Sequence, residues 1–431
     1  MRPFHFMIAF WGERYRNYFV NLFLPSLFAP NNLPLLRVED GHQYLIATTV
    51  RDWQAIEQLP ILDRLRRHVQ PILIQIEDVE TAATGGNSDD DRYSSTIRRQ
   101  ELCFRTLLDQ AYNRNAYGSL LSPDVIVSNG MVSSLLKSAQ AGYQLVLCPA
   151  LRHSEEPVMA ALADLGLLRL DERYSLTAKD ISVPPRIAAA LGARHLHPEL
   201  WQFEDGCAHR HSVPPFRIWR VAGGRGMIVH TFFGVPMLID FSVVPENHTD
   251  CLARDTLENV YVTSNFAGCD RIHITTNADD FVLLSVTPTG GLKAPFTEIA
   301  HDSLLRRYEG LASLRRALQS YAAGGTDRVR SSLFHKPIRW NAVDLDEVWR
   351  ARERAIQRDL RLAVGDFDRT SRPGFTWQWF LFDLPAPILM TSRYLRGLAG
   401  RMTLVLRGDP EALRWFVTRL RYRLRQLFGK S

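Results

Sequence analysis

The side chains best suited to chemistry stand where apolar runs give way to helical spacing. After the first run come Trp11, Gly12 and Glu13: an indole that can stack on a planar ring, a glycine that permits close backbone approach, and a helix start whose free N–H groups favour an anion. A tight turn with a packed indole is the alternative reading. Thr48 and Thr49 close a second run. Pro123-Asp124 opens a third that ends in Ser128, Asn129 and Gly130. Carboxylates at such a tip hold divalent cations, because hard cations prefer charged oxygen. A hydroxyl and a carboxamide are weak ligands, so Asn129 argues against a divalent cation there and no metal ligands are assigned; Asn129 and Gly130 capping the next helix is the plain alternative. Arg152 brings a guanidinium to the end of a further run.

Histidine is densest at His195 and His197, with His209 and His211 behind them. A His-x-His pair can ligate zinc from a strand, but no third ligand stands at a useful spacing. His230 in IVHTFF and Asp240 in LIDF alternate with apolar residues, and Asp279 and Asp280 follow RIHITT. Each is a candidate acid or base; the competing readings are a hydrogen-bonded core histidine, a strand-end aspartate and carboxylates that cap an element. There is no GxSxG elbow, no GxxxxGK[ST] loop, no HExxH and no GxGxxG after a strand, so serine-hydrolase, ATPase, metalloprotease and dinucleotide readings lack support.

The elements that must position these residues alternate. FHFMIAF (4–10) precedes helical spacing from Glu13 to Phe28, YLIATT (44–49) precedes a helix over 51–68, and PILIQIE (71–77) precedes a helix near 94–115, after the loop TAATGGNSDDD. PDVIVSN (123–129) and the helix 131–142 form a fourth unit, and YQLVLCPAL (143–151) a fifth strand. Near-continuous apolar strands alternating with helices call for a mostly parallel, doubly wound α/β sheet covered on both faces. Ligands of such sheets bind beyond the carboxyl ends of the strands. Past residue 151 the alternation stops: helices near 155–167 and 186–192 lead to a β-rich run over 216–241 with a Gly-rich hairpin at 223–226, then a strand pair over 259–264 and 271–287, then helices from about 296 to 370.

The chain has 431 residues, 46% hydrophobic and 23% charged, an ordinary globular composition at a length that calls for a core domain plus additional structure. Five widely spaced cysteines without a CxxC pair read as reduced thiols. The opening MRPFHFMIAFW lacks a small-residue cleavage site and reads as a first strand; WQWFLFDLPAPILM, the most apolar stretch, is interrupted by Asp383, Pro385 and Pro387 and does not span a membrane. The placement expected is therefore cytoplasmic. Net charge is +6, of which residues 409–431 supply +4 from five arginines and one lysine against one aspartate and one glutamate. No basic stripe with interleaved aromatics suggests nucleic acid. Over 410–428 Leu413, Phe416, Val417, Leu420, Leu424, Leu427 and Phe428 share a helical face flanked by arginines, which suits either an anionic membrane surface or docking on the chain itself.

One pattern runs through several of these features: Trp11-Gly12-Glu13, Leu24-Pro25-Ser26-Leu27 with Ala29-Pro30-Asn31-Asn32-Leu33-Pro34, the Ile46–Thr49 strand end, Pro123-Asp124 leading to Ser128-Asn129-Gly130, Leu151-Arg152, His195-Leu196-His197-Pro198, and Arg271-Ile272-His273 with Asp279-Asp280. It resembles a bacterial family of glycosyltransferase-like proteins, over about residues 4–290. The resemblance implies a GT-A-like nucleotide-sugar-binding domain over 1–290, beside a helical region over 291–370 and a basic tail over 371–431. It implies a nucleotide sugar as ligand, Trp11, Gly12 and Thr48 at the nucleotide, Ser128 and Asn129 at the diphosphate, where relatives carry an acidic motif after the fourth strand, and Arg152 neutralising charge in place of a metal. The rival is a non-catalytic protein that keeps the fold as a scaffold.

Overall fold

The computed structural model describes residues 1–77, 89–170, 176–177, 180–205, 214–253, 257–289, 304–321 and 327–364. His209, His211 and the segment 410–428 lie outside them. The chain divides into two compact units, Met1–Arg358 and Asp359–Ser431.

The first alternation is as expected. Strand β1 (Phe4–Ala9) leads to α1 (Glu13–Tyr18), which runs through one π-helical turn, Phe19–Phe23, into α2 (Leu24–Leu27). Strand β2 (Gln43–Thr49) is followed by two short helices, α3 (Val50–Ile56) and α4 (Pro60–Arg66), where one helix was expected. Proline keeps the residue before it extended, and Leu59, at φ −70° and ψ 141°, breaks the run. Next come β3 (Gln70–Ile76), α5 (Asp89–Asn113), β4 (Tyr117–Leu121), β5 (Val125–Val127), α6 (Met131–Gln140), β6 (Leu145–Cys148), β7 (Leu151–Ser154) and α7 (Glu155–Asp164). A small ladder, β8 (Arg169–Leu170) with β9 (Leu176–Thr177), precedes α8 (Pro185–Arg194) and α9 (Pro198–Trp201). The remaining elements are β10 (Phe216–Val221), β11 (Gly226–Thr231), β12 (Val235–Asp240), α10 (Leu257–Asn265), β13 (Ile272–Ile274), β14 (Leu283–Thr287), α11 (Leu304–Tyr321), α12 (Arg328–His335), β15 (Ile338–Asn341) and α13 (Glu347–Val364).

The central sheet has seven strands in the order β13-β6-β12-β4-β1-β2-β3, parallel except for β12. Its side chains alternate between two buried cores. Phe4, Phe6, Ile8, Tyr44 and Ile46 pack on one face, and Met7, Leu45, Ala47 and Leu107 on the other. That double burial is what a mostly parallel sheet with helices on both faces requires.

The fourth central strand differs from the expected one. It is β4, Tyr117–Leu121, and β5 within 123–129 belongs instead to a three-stranded sheet, β5-β14-β7. Gly118 and Ser119 conceal β4 in the sequence, since both weaken a strand signal. Packing explains the glycine: a Cβ at Gly118 would stand 2.4 Å from the Phe241 ring and 2.8 Å from the Met7 methyl. The expected fifth strand, 143–151, likewise divides between two sheets as β6 and β7.

Later segments bring further corrections. Residues 259–264 are helical in α10, because Leu257 and Tyr261 stand one turn apart and both are buried on its inner face. Strands β13 and β14 do not pair with each other; they join different sheets. The hairpin β10–β11 forms as expected, but β11 also takes β15, from a region expected to be wholly helical, as an antiparallel partner.

Candidate functional site

Sheet order locates the crevice. The chain moves outward from β1 to β2 and β3, then returns to the other side of β1 as β4, so the order reverses between β1 and β4, where open parallel sheets bind ligands. Ile8 pairs with Leu121, so the chain leaving β1 as Phe10-Trp11-Gly12 and the chain leaving β4 as Ser122-Pro123-Asp124 diverge side by side.

On the β1 side, Gly12 and Glu13 are exposed and Gly12 has φ 84° and ψ 157°, a conformation open to glycine alone. Asp52, almost fully buried in the first turn of α3, fastens this turn: its Oδ2 accepts the Gly12 N–H at 2.8 Å and the Thr49 hydroxyl at 2.9 Å, and its Oδ1 accepts from Arg16 at 2.9 Å. Thr49 caps α3 through the Asp52 N–H, while Thr48 is fully buried with no hydrogen-bond partner for its hydroxyl. One face of the Trp11 indole is covered by the Arg99 guanidinium, 4.8 Å from the ring centroid.

On the β4 side, Asp124 accepts the Ser122 hydroxyl. Burial raises its carboxyl above the ordinary range, against the opposing pull of Ser122, Arg152 and Arg14. Arg14 also reaches the Tyr18 hydroxyl at 2.9 Å and Glu155 at 3.3 Å, and Tyr18 donates to Glu155. Burial and that carboxylate raise the phenol well above its usual value. Arg152 is exposed and pairs with Glu199 at 3.5 Å. Arg14 and Arg152, each paired with its own glutamate, thus act on the half-buried Asp124 carboxylate through their charge alone.

Other expected residues lie apart from it. Ser128 and Asn129 follow β5, about 13–17 Å along the chain from Asp124 at the usual strand rise. Ser128 Oγ accepts the Val282 N–H at 2.9 Å, Asn129 Oδ1 accepts the Asn31 N–H, and Asn32 donates to the carbonyls of Ser26 and Ser128 while accepting the N–H groups of Gly130 and Val132. The Asn31-Asn32 segment is therefore a clasp across this loop. His195 and His197 run along β7: Ser154 N–H bonds to His195 O, His197 N–H bonds to Arg152 O, and His197 Nδ1 caps α9. Burial, with Arg194 alongside, lowers the pKa of His195. His230 is fully buried, its Nδ1 2.7 Å from the Phe334 carbonyl, and burial lowers its pKa to about 4. Asp240 lies at the opposite, amino edge of the sheet, since β12 is antiparallel, and pairs with Arg2 at 2.6 Å.

Asp279 and Asp280 do reach the carboxyl edge, beyond β13. Arg186 holds Asp279 through two bonds of 2.7 and 3.0 Å and lowers its carboxyl pKa; Asp280 lies 3.8 Å from His273 Nε2. A small hollow of about 10 Å³, room for about one water molecule, lies near them, lined in part by Cys148, Thr275, Asn277 and Trp340. Among the described residues no group of three or more His, Cys, Asp or Glu is arranged to hold a metal ion.

No family profile and no curated protein matches the chain. Among solved structures, a crystal structure of S. aureus TarS aligns at TM-score 0.28 and 10% identity over 85% of this chain and 48% of that one. The chain spans about half the length of that neighbour. So loose a likeness carries no argument, and the functional reading rests on the crevice.

Reasoning from sequence missed Asp52, Arg14, Tyr18 and Glu155. Thr49-x-x-Asp52 is a capping-box spacing that marks the Asp52 anchor, and Arg14 with Tyr18 shows the i, i+4 spacing of one helix face.

Proposed function

We propose that the carboxyl edge of the central sheet binds a nucleoside diphosphosugar and that the protein is a glycosyltransferase. The observation that carries this reading is the position of Asp124. With β4 as the fourth central strand, Asp124 is the first carboxylate beyond its carboxyl end, beside the switch point where open parallel sheets bind ligands, while Asn129 follows the separate strand β5.

In this reading the nucleoside lies over the ends of β1 and β2, against Trp11 and Gly12. The diphosphate lies between Arg14 and Arg152, whose fixed positive charges stabilise the leaving group as it develops. The sugar and acceptor extend toward Asp280, three strand spacings or about 14 Å along the edge from β4 to β13. The acceptor oxygen bonds to the anomeric carbon, the bond from that carbon to the diphosphate oxygen breaks with its electron pair leaving on the diphosphate, and the acceptor proton goes to a carboxylate. Asp280 is the candidate base; His230 and Asp240 face other parts of the molecule, and Asp279 is committed to Arg186.

Asp124, Glu155 and Glu199 accompany the two arginines but are not among any group arranged to hold a cation in the described residues, and a diphosphate would compete with Glu155 and Glu199 for the guanidinium groups. No step is therefore routed through a metal. That competition favours a second reading, a binding protein without turnover. Thermal-shift titration with UDP-, GDP- and dTDP-sugars, with and without Mn²⁺, is the test. A selective shift in wild type that weakens at least about tenfold in Arg14→Ala supports the site; no shift with any donor overturns it. Donor hydrolysis on incubation separates transferase from binder.

A further inference from the structure

We propose that Asp52 is a positioning residue: it touches no ligand itself but holds the Gly12 turn in the shape that receives the nucleotide. The inference rests on the nucleotide reading above and assigns a role to a residue outside the expected site.

Three observations carry it. Gly12 sits at φ 84° and ψ 157°, outside the basins of other residues, and it is exposed, so no surrounding packing enforces that shape. The Gly12 N–H is tied at 2.8 Å to a carboxylate that is itself only 4% exposed. That carboxylate is in turn fixed from two directions, by the Thr49 hydroxyl at the end of β2 and by Arg16 one turn into α1. A single buried group therefore couples the loop after β1 to the loop after β2, the two loops that flank the proposed nucleoside position. Its charge makes these bonds stronger than neutral ones. With Asp52 satisfied by Gly12, Thr49 and Arg16, the outward surface of the turn is left to the ligand.

The test compares three variants with wild type in the full chain, probing affinity for UDP, GDP and dTDP by calorimetry. Asp52→Ala should weaken the tightest of them by at least about tenfold. Asp52→Asn keeps one acceptor oxygen for the Gly12 N–H but turns an NH2 toward Arg16, so its affinity should fall between those of Asp52→Ala and wild type. Ile218→Val, a core truncation in β10, controls for lost stability and should leave affinity unchanged. Peptide hydrogen exchange over residues 10–18 provides a second readout that needs no nucleotide: exchange should quicken in Asp52→Ala and not in Ile218→Val.

Equal affinity in Asp52→Ala and wild type, or exchange over 10–18 unchanged by Asp52→Ala, overturns the inference. Absence of nucleotide binding in wild type overturns the proposed function instead, and the exchange measurement then decides by itself whether Asp52 sets the turn.

Discussion

Gly12 is the residue at which backbone conformation and ligand position meet. A side chain there finds open space but an unfavourable φ, so Gly12→Ala is expected to cost about 1–3 kcal/mol, read as a lower urea midpoint with unchanged slope. The buried histidines are the other residues whose state is set by surroundings. Burial lowers His5 and His230 to about 4 and His153 to about 3, so all three are neutral in the folded protein at pH 7. The unfolded chain takes up protons below pH 6.5 that the folded chain refuses. Stability is therefore greatest above pH 6.5 and falls as the pH drops toward 4, with about 3 kcal/mol at stake for His5 or His230. Urea midpoints at pH 7.5 and pH 5 check this, and His153→Gln should flatten the slope; equal midpoints would contradict it.

At the scale of elements, the clasp made by Asn32 joins the segment after α2 to the loop and first turn of α6 through three hydrogen bonds and holds α2 through a fourth. Asn32→Ala strands buried groups on both sides and should cost about 2–4 kcal/mol in denaturant unfolding. Arg186 makes shorter contacts, with Asp279 and Asp344, yet all three are substantially exposed, so Arg186→Ala should cost less than about 1 kcal/mol. The same scale sets how far the sequence could be read. β1, β2 and β3 were legible because each is a nearly unbroken apolar run followed by helical spacing. β4 was not, because its central position demands small residues against Phe241 and Met7, and small residues look like loop. That one displacement sets Ser128 and Asn129 beyond β5, in the three-stranded sheet, rather than beyond a central strand. α10 was misread for the complementary reason: Val260, Tyr261 and Val262 favour strands locally, and burial of Leu257 with Tyr261 overrides them.

Across the whole molecule, elements far apart in sequence complete each other's sheets. β15 covers the free edge of β11, and α12 supplies the carbonyl that His230 meets. A chain ended after residue 289, near the boundary drawn from the family pattern, loses both. It should expose the β11 edge and elute as aggregate in size-exclusion chromatography, where the full chain does not. The histidine-rich and acidic segments were legible as polar clusters, but their partners were not, since Arg186, His153 and Pro288 reach them only through the fold.

The insertion of β12 between β4 and β6 bears on synthesis. The first four central strands are available for pairing once residue 121 has left the ribosome, but β6 has no neighbour in the sheet until β12 arrives roughly 90 residues later, a wait on the order of ten seconds at ordinary translation rates. During that interval Leu145–Cys148 is an unpaired apolar strand, and β5 and β7 wait longer still for β14, so a nascent chain stalled between residues 154 and 235 is expected to bind a chaperone that one stalled well after residue 287 does not.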